Sequence, residues 1–207
     1  MSIKNAYTSW AVSYDNMHNK TRDLEELVAK EFLDRSYYSA ILELGCGTGK
    51  NTQWLLNKCD TTIAIDFSEA MLEKAKLKIS SEKVIFKQQD LLDDWKLLPN
   101  SFNLICCSLV LEHIEVLTDI FNKTTQVLKP NGIFYISELH PFKQYSGSKA
   151  RFDNGKGIQE LEVYTHNISD YLLAAKECEL EIIEIKESFD DGNINHLPRL
   201  ISFLFQK

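Results

Sequence analysis

The chain has 207 residues, of which 44% are hydrophobic and 26% are charged, a composition typical of one folded globular domain and not of a disordered, collagenous or disulfide-stapled chain. Lys and Arg number 23 against 30 Asp and Glu, so the formal net charge is −7. An acidic chain repels a phosphate backbone, which counts against nucleic acid as a partner.

The cysteines and the first residues indicate a reducing compartment. The five cysteines are odd in number and show no C-x-x-C spacing. Cys106 and Cys107 are adjacent in an apolar run, so we expect core thiols rather than disulfide partners. The first residues contain no apolar signal core, and the apolar run 104–111 is far shorter than the roughly 20 residues of a membrane helix. We therefore expect a cytoplasmic protein without a membrane span.

Apolar periodicity predicts helices that alternate with short strands as far as Leu139. We expect a helix at 20–36, a helix that begins at Glu69 with Ser68 as its N-cap, and a helix at 112–128. Five short apolar or β-branched runs predict strands, at 40–44, 61–66, 83–90, 102–109 and 132–139. This alternation indicates parallel β-α-β units in a doubly wound sheet.

The pattern changes after Leu139. Residues 140–160 are polar and contain three glycines, which predicts a loop, and a helix near 169–178 precedes strands at 180–187 and 199–206. We therefore expect one domain over 1–207, divided into an N-terminal helical cap (1–36), a cofactor-binding core (37–139), a lid (140–164) and a C-terminal helix and strand pair (165–207).

The dense glycine cluster Gly45-Cys46-Gly47-Thr48-Gly49 lies between a predicted strand and a predicted helix. At the carboxyl end of a strand in an open α/β sheet, such a cluster lets a ligand lie against the backbone. A dinucleotide fingerprint spaces its glycines G-x-G-x-x-G, whereas here the third glycine comes one residue early. Glu43, two residues before the first glycine, would repel a pyrophosphate and suits a ligand with an ammonium and a sulfonium, such as S-adenosylmethionine.

Two carboxylates end the next predicted strands. Asp66 ends the second strand, where an acid can accept hydrogen bonds from both hydroxyls of an adenosine ribose. Dinucleotide enzymes use the same device, so Asp66 indicates an adenosine and not a particular cofactor. Asp90 ends the third strand, where a carboxylate can accept the amino hydrogens of adenine while Leu91 offers a backbone donor.

Five segments in this order resemble class I S-adenosylmethionine-dependent methyltransferases, and in particular the small-molecule branch of ubiquinone/menaquinone-type, type 11-like enzymes. They are LELGCGTGKNT, AIDFSEAML, QQDL, FNLICCSLVLEHI and LKPNGIFYISELHP. The resemblance implies a Rossmann-like α/β fold: a seven-stranded, mostly parallel sheet with an antiparallel last strand and helices on both faces. It also implies methyl transfer to a small-molecule acceptor, with S-adenosylhomocysteine as product. One departure is Asn103, where the family usually has Asp.

The resemblance also assigns contacts to the cofactor. It places Glu43 and the glycines of the cluster at the methionine part, Asp66 and Phe67 at the ribose and adenine, and Asp90 and Leu91 at the adenine. Ser108 or Leu109, after the fourth strand, would lie near the transferable methyl group. The full set of expected cofactor contacts is Glu43, Gly45, Cys46, Gly47, Gly49, Asp66, Phe67, Met71, Asp90, Leu91, Ser108, Leu109, Tyr14 and Arg22, with Arg22 as the partner of the cofactor carboxylate.

The acceptor site is expected outside the core. His140 directly follows the fifth strand and is the candidate general base for a hydroxyl or carbon-acid acceptor, since its ordinary pKa suits proton transfer at neutral pH. Four basic residues make the segment 140–164 basic within an acidic chain, which predicts a lid over an anionic or polar acceptor. These are Lys143, Lys149, Arg151 and Lys156. The candidate substrate contacts are His113, Tyr145, Arg151 and Tyr164.

Two other function classes stay open at this point: a non-catalytic partner or regulator that binds S-adenosylmethionine, and a nicotinamide-dependent oxidoreductase. No His/Cys/Asp set stands at metal-ligand spacing, so no metal is expected. The identity of the acceptor, the element that is methylated and the oligomeric state are beyond the sequence.

Overall fold

The computed structural model describes residues 3–149, 151–153 and 157–207, and these form nine strands and seven α-helices. The strands are β1 (Tyr38–Leu44), β2 (Cys59–Asp66), β3 (Val84–Gln88), β4 (Phe102–Ser108), β5 (Leu128–Leu139), β6 (Arg151–Asp153), β7 (Ile158–Glu160), β8 (Glu181–Ser188) and β9 (Leu200–Gln206). The helices are α1 (Ile3–Trp10), α2 (Lys20–Leu33), α3 (Lys50–Leu55), α4 (Glu69–Lys78), α5 (Leu117–Val127), α6 (Pro141–Tyr145) and α7 (Ile168–Glu177).

Seven of the strands form one sheet in the order β3-β2-β1-β4-β5-β9-β8. The pairs β1–β2, β2–β3, β1–β4 and β4–β5 are parallel, and β9 is antiparallel to both β5 and β8. Six strands therefore share one direction and the last strand runs against them. The predicted seven-stranded sheet with an antiparallel last strand is confirmed.

Helices cover both faces of this sheet because side chains alternate along each strand. On one face Phe121 of α5 contacts Phe134 of β5 and Phe205 of β9, with ring centroids 5.3 Å and 5.6 Å apart. On the other face Phe32 of α2 contacts Tyr135 of β5 at 5.4 Å between centroids. Burial on both faces explains why β4 is a continuous apolar run and places it at the centre of the core.

Several local predictions differ from the structure. The helix predicted at 112–128 begins at Leu117, because Ile114 and Val116 have extended backbone conformations and only a short 3-10 turn, Leu111–His113, precedes them. The predicted loop at 140–160 contains the helix α6 and the hairpin β6–β7. Ser68 caps α4 as predicted, since its hydroxyl accepts from the backbone N–H of Met71.

The remaining expectations concern cysteines, metals and membranes. All five cysteines are free and buried, and burial raises the pKa of the Cys106 and Cys107 thiols, as in inert core residues. Within the described part of the chain, no group of three or more His, Cys, Asp or Glu side chains could hold a metal ion. None of the described helices combines the length and hydropathy of a membrane-crossing segment.

Candidate active site

A cavity of about 360 Å³ lies at the carboxyl ends of β1, β2 and β4, the edge at which open parallel sheets bind ligands. Helices α1 and α2 supply the opposite wall. The structure brings together on this cavity every residue predicted to contact a cofactor except Gly49. These residues are Tyr14, Arg22, Glu43, Gly45, Cys46, Gly47, Asp66, Phe67, Met71, Asp90, Leu91, Ser108 and Leu109.

The three glycines after β1 have different neighbours, although all have a positive φ. A Cβ atom at Gly45 would lie 2.3 Å from Cγ2 of Val110, and one at Gly49 would lie 2.8 Å from Cδ1 of Ile79. A Cβ at Gly47, where φ is +54°, would meet no atom within 4 Å. Gly47 therefore borders free space that a ligand can occupy. The prediction for Gly49 is corrected, because it packs against α4 instead of lining the cavity.

Asp66, at the end of β2, fixes the glycine loop. Its Oδ2 accepts from the backbone N–H of Gly47 at 2.8 Å, and its Oδ1 accepts from that of Ser68 at 2.8 Å. Burial raises the pKa of Asp66 to about 6. A carboxylate has about four acceptor positions, so these two bonds leave capacity for the hydroxyls of a ribose.

The cavity is less enclosed at the end where the sequence predicts the adenine to bind. Leu91 and Met71 are buried, whereas Asp90 is exposed and its Oδ1 accepts from the backbone N–H of Leu92 at 3.0 Å. The backbone N–H of Gln89 donates to the carbonyl of Asp66 at 2.9 Å. This bond holds the loop after β3 beside Asp66, so an adenine at this end would lie between buried apolar side chains and one exposed acid.

Glu43 lies on β1 just before the glycine loop and is 6% exposed. Its Oε2 accepts from the hydroxyl of Thr52 on α3. Burial raises the pKa of Glu43 to about 8, with the charges of Glu25 and Asp66 adding to the effect. A cation in the cavity would stabilise the ionised form of this carboxyl group.

Arg22, in the first turn of α2, reaches the cavity from the opposite side. Its Nη1 donates to the carbonyl of Tyr14 and its Nη2 to the carbonyl of Met17, both at 2.8 Å. The guanidinium lies 4.0 Å from the ring centroid of Tyr14. Within the described residues, the buried Nε of Arg22 has no hydrogen-bond partner. This donor suits the carboxylate that the sequence assigned to Arg22.

Ser108 and Leu109 follow β4 and line the cavity. Leu109 has a φ of +57°, which is uncommon for a residue with a side chain. Its backbone N–H donates to the carbonyl of Ser137 at 2.8 Å, and Glu138 accepts from the N–H groups of Val110 and Leu111 at 2.9 Å and 2.8 Å. These bonds from β5 hold the strained loop in place.

His113 lines the cavity and is paired with Tyr7 of α1, whose hydroxyl lies 2.8 Å from Nε2. The carbonyl of Glu162 lies 3.3 Å from Nδ1 and can only accept, so Nδ1 carries the ring proton and Nε2 accepts from Tyr7. Burial lowers the pKa of His113. The imidazole is therefore neutral at pH 7 and has a basic nitrogen directed at the Tyr7 hydroxyl.

The sequence missed other cavity residues, notably Tyr7, Glu25, Asn51 and Trp54. Tyr7 lies on α1, which the sequence treated only as part of a helical cap. Glu25 did leave a signal, because it shares a helical face with Val28, Ala29 and Phe32, which are all buried. An acid on an apolar helix face is expected to have a functional partner.

His140 does not line the cavity, which corrects its proposed role. It is 0% exposed, and its Nδ1 caps α6 by accepting from the backbone N–H of Phe142 at 3.1 Å. Its Nε2 lies 3.1 Å from Oε1 of Glu187. Both nitrogens are engaged in holding α6 and β8, so the geometry gives no support to a general base at this position.

The described residues that were predicted to form a lid over the acceptor also lie away from the cavity. Tyr145 donates to Oδ1 of Asn167 at 2.8 Å, the backbone of Tyr164 bonds to Glu112 at 2.7 Å, and neither tyrosine lines the cavity. The side chain of Arg151, together with Gly155 and Lys156, lies outside the described residues. Lys143 pairs with Asp190 and Lys149 with Glu160, both at 3.8 Å. The described lysines therefore neutralise acids of the protein itself.

The cavity fits S-adenosylmethionine on three observations. Gly47 borders open space beside Asp66, whose carboxylate suits the ribose hydroxyls. Glu43 is a buried acid without a neighbouring cation on its own strand, which suits the ammonium group. The unpartnered Nε of Arg22 suits the carboxylate. The residues present therefore match the nucleoside and both charged groups of the amino-acid part.

A match to a known protein family covers the part of this cavity that lies at the edge of the sheet. Residues 42–136 match the family described as "Methyltransferase domain". This range runs from β1 into β5 and includes the glycine loop, Asp66 and the loop after β4. The resemblance drawn from the sequence motifs is confirmed over these residues.

Two curated relatives and one solved structure extend the likeness. The chain is 26% identical to an uncharacterized methyltransferase of Emericella nidulans, covering 87% of this chain and 76% of the relative. It is 30% identical to the malonyl-[acyl-carrier protein] O-methyltransferase of Bacillus anthracis, covering 72% and 57%. An S-adenosylmethionine-dependent methyltransferase structure from Clostridium acetobutylicum superposes with a TM-score of 0.70 at 20% identity, covering 98% and 97%.

The chain is shorter than several of these proteins. It spans 38%, 76%, 46% and 57% of the length of four curated relatives that it matches. What the relatives share with this chain is thus the aligned part of their length, and the solved structure shares its fold.

Proposed function

We propose that this S-adenosylmethionine-dependent methyltransferase domain transfers the methyl group of S-adenosylmethionine to a small-molecule acceptor. The proposal rests mainly on one observation: the open space at Gly47, Asp66 and Glu43 lie together on one wall of the cavity. The comparisons give no support to a nicotinamide-dependent oxidoreductase or to a non-catalytic binding partner. On the reduced state of the five cysteines we further propose a cytoplasmic location.

The residues of the cavity divide the work of holding the cofactor. Asp66 would bind the ribose, Leu91 and Asp90 would border the adenine, and Glu43 and Arg22 would bind the amino-acid groups. When bound, S-adenosylmethionine supplies an electrophilic methyl group on a sulfonium. The protein's contribution to rate is alignment of the acceptor with that methyl group, which can lower a barrier substantially without a nucleophilic side chain.

Tyr7 and His113 supply proton transfer on the acceptor side, in place of His140. An acceptor with an O–H, N–H or S–H group would give its proton to the Tyr7 oxygen while the Tyr7 proton passes to Nε2 of His113. The neutral imidazole becomes an imidazolium, and the acceptor heteroatom is left free to form its bond to carbon. General-base assistance of this kind typically contributes about 10²–10⁴ in rate.

The charges around the cavity favour a neutral or cationic acceptor. Glu25, Glu43 and Asp66 are buried acids on its wall, so an anion would be repelled. The expectation of an anionic acceptor depended on basic side chains of 140–164, and the described lysines among them are already paired with acids.

Two measurements test the proposed function. Calorimetry should detect binding of S-adenosylhomocysteine and none of NADH; the reverse result would favour the oxidoreductase. The protein should then be incubated with deuteromethyl-labelled S-adenosylmethionine and a small-molecule extract, and mass spectrometry should find at least one labelled metabolite. Binding of S-adenosylhomocysteine without any labelled product, across neutral and cationic fractions, would favour a non-catalytic binding protein.

A further inference from the structure

The feature that the cofactor assignment does not explain is Glu25 on α2. It is 3% exposed and lines the cavity. Its Oε2 accepts from Nδ2 of Asn51 at 2.9 Å, and the Ser108 hydroxyl lies near the carboxyl group and opposes the rise in its pKa, while the buried Oε1 accepts no hydrogen bond of ordinary length among the described residues. An unpartnered buried carboxylate oxygen is costly, so its retention on a cavity wall indicates a missing donor.

Glu25 lies close enough to Glu43 for the charge of each to act on the other. Burial raises the pKa of Glu25, and the charge of Glu25 contributes to the raised pKa of Glu43. The charge of Lys50 on the cavity wall opposes the rise in the pKa of Glu25, but Lys50 forms its ion pairs with other acids, Asp23 at 3.0 Å and Glu26 at 3.2 Å. Among the described residues, these two neighbouring buried acids thus have no cation in a direct ion pair with them.

Among the described residues, the same helix has a second buried side-chain atom without a hydrogen-bond partner, and this one is a donor instead of an acceptor. Arg22 precedes Glu25 by three residues, a spacing that puts both side chains on one face of α2. Both line the cavity; the buried Nε of Arg22 lacks an acceptor and the buried Oε1 of Glu25 lacks a donor among the described residues. One helix face therefore offers a cation and an anion to the same ligand, which matches the carboxylate and ammonium of an α-amino acid zwitterion.

We propose that Glu25, together with Glu43, binds the ammonium group of the amino-acid part of the cofactor, so that α2 recognises both charged groups of that part. The inference rests on the proposed function, since it takes S-adenosylmethionine as the ligand. An ammonium group carries three N–H donors. Oε1 of Glu25 and the carboxyl group of Glu43 are buried acceptors on the cavity wall that can receive them. A cofactor that has lost its amino acid would leave this site unused.

Binding measurements on three ligands test the proposal. S-Adenosylhomocysteine carries the whole zwitterion, its deamino analogue keeps the carboxylate and lacks the ammonium, and 5′-methylthioadenosine lacks both. For wild-type protein we expect the deamino analogue to bind at least about tenfold more weakly than S-adenosylhomocysteine, since charge-assisted hydrogen bonds are lost. This arm needs no variant and so does not depend on how any variant folds.

The variant arm compares Glu25→Gln with Glu31→Gln, a matched change on the same helix at an exposed residue that pairs with Lys186. Glu25→Gln should weaken S-adenosylhomocysteine about tenfold or more, while its affinity for the deamino analogue and for 5′-methylthioadenosine stays at the wild-type value. Glu31→Gln should bind all three ligands like the wild type.

The outcomes separate this inference from the proposed function. Equal wild-type affinity for S-adenosylhomocysteine and its deamino analogue would overturn the ammonium site while leaving the cofactor assignment intact. Wild-type behaviour of Glu25→Gln, or an equal loss for all three ligands, would overturn the role of Glu25. If the wild-type protein binds none of the three ligands, the proposed function fails and this inference fails with it.

Discussion

The cavity has two walls of opposite chemistry. The acidic wall, formed by Glu25, Glu43 and Asp66, is buried and keeps an unpartnered oxygen. The aromatic wall, formed by Tyr7, Tyr14, Phe67 and His113, is complete without a ligand: the Tyr7 ring lies 6.5 Å, 5.7 Å and 5.5 Å from the other three centroids, and its hydroxyl is bonded to His113.

This difference indicates how the two walls work. The acidic wall suits a ligand that brings positive charge, because burial disfavours the ionised form of its carboxyl groups and a cation would stabilise that form. The aromatic wall is preformed and neutral, so it can hold an acceptor by shape and by one hydrogen bond. Under the proposed function, charge would govern binding of the cofactor and packing would govern placement of the acceptor.

The largest expected effect comes from filling the space between the walls. Gly47→Val should abolish measurable S-adenosylhomocysteine binding, because the added side chain occupies the open cradle and the φ of +54° disfavours a β-branched residue. Calorimetry measures the loss, and circular dichroism checks the fold. Gly192→Val is the matched control, since Gly192 has a φ of +69°, a Cβ atom there would also meet no atom within 4 Å, and the residue does not line the cavity.

If both valine variants lose binding, strain in the backbone rather than occupation of the cradle is responsible. If Gly47→Val binds normally, the ligand lies elsewhere and the acidic wall is not its site.

A smaller effect is expected at the aromatic wall, and it should fall on rate alone. Tyr7→Phe keeps the ring that contacts Phe67 and removes the hydroxyl that joins Tyr7 to His113. With the acceptor recovered by mass spectrometry, kcat should fall by about 10² while the affinity for S-adenosylhomocysteine stays within about twofold. His113→Gln should show a similar fall in kcat.

The pH profile separates proton transfer from packing. The wild-type rate should fall on the acid side as His113 becomes protonated below its ordinary pKa range, because burial lowers that pKa. Tyr7→Phe should lose this acid limb. If the wild-type rate does not change in acid, Tyr7 and His113 do not transfer the proton, and their contact is only structural.

The two walls were not equally visible in the sequence. Glu43 and Asp66 stand at the ends of strands whose apolar runs are clear, so the parallel sheet alone places them at one edge. The aromatic wall depends on where α1 docks, and Tyr7 contacts Phe67 and His113 across 60 and 106 positions of the chain. Local periodicity carries no information about such contacts, which tertiary packing decides.

His140 illustrates the converse error. Its place after β5 was predicted correctly, but the direction of its side chain was set by the cap of α6 and by Glu187 on β8. Position along a strand predicts which edge a residue occupies. It does not predict whether that side chain faces the ligand or the next helix.

We expect pH to have a moderate effect on ligand affinity through the acidic wall. The pKa of Glu43 is raised to about 8, so below this pH Glu43 holds a proton in the free protein that an ammonium ligand displaces, whereas Asp66, with a pKa of about 6, is ionised over most of the range between pH 6 and pH 8. Glu25 on α2 faces the same space, and the thiols of Cys46 and Cys106 beside it stay neutral since burial raises their pKa.

The affinity for S-adenosylhomocysteine should therefore rise between pH 6 and pH 8, by at most about tenfold per pH unit for each proton released. The affinity for 5′-methylthioadenosine should rise less, since it brings no ammonium group. Titrations at three pH values measure both. A constant affinity for S-adenosylhomocysteine across this range would mean that Glu43 is not coupled to the ligand.

The smallest expected effect lies away from both walls, at the amino end of β4. The Oδ1 atom of Asn103 accepts from the Ser39 hydroxyl, from the backbone N–H of Ala40 at 3.3 Å and from Nζ of Lys129 at 3.2 Å. Asn103→Asp should convert the last bond into an ion pair. Partly exposed pairs contribute less than about 1 kcal/mol, which corresponds to a rise in Tm of about 1–3 °C for a chain of this size.

A double-mutant cycle tests whether Lys129 causes the rise in Tm. In a Lys129→Met background, Asn103→Asp should give no rise in Tm, because the cation is gone and the carboxylate would accept only neutral donors. The affinity for S-adenosylhomocysteine should stay unchanged in all four proteins, since Asn103 does not line the cavity. An equal rise in Tm in both backgrounds would show that Lys129 is not the cause. A change in ligand affinity would show instead that the amino end of β4 is coupled to the glycine loop, so that the residues that stabilise the fold and those that bind the ligand would not act separately.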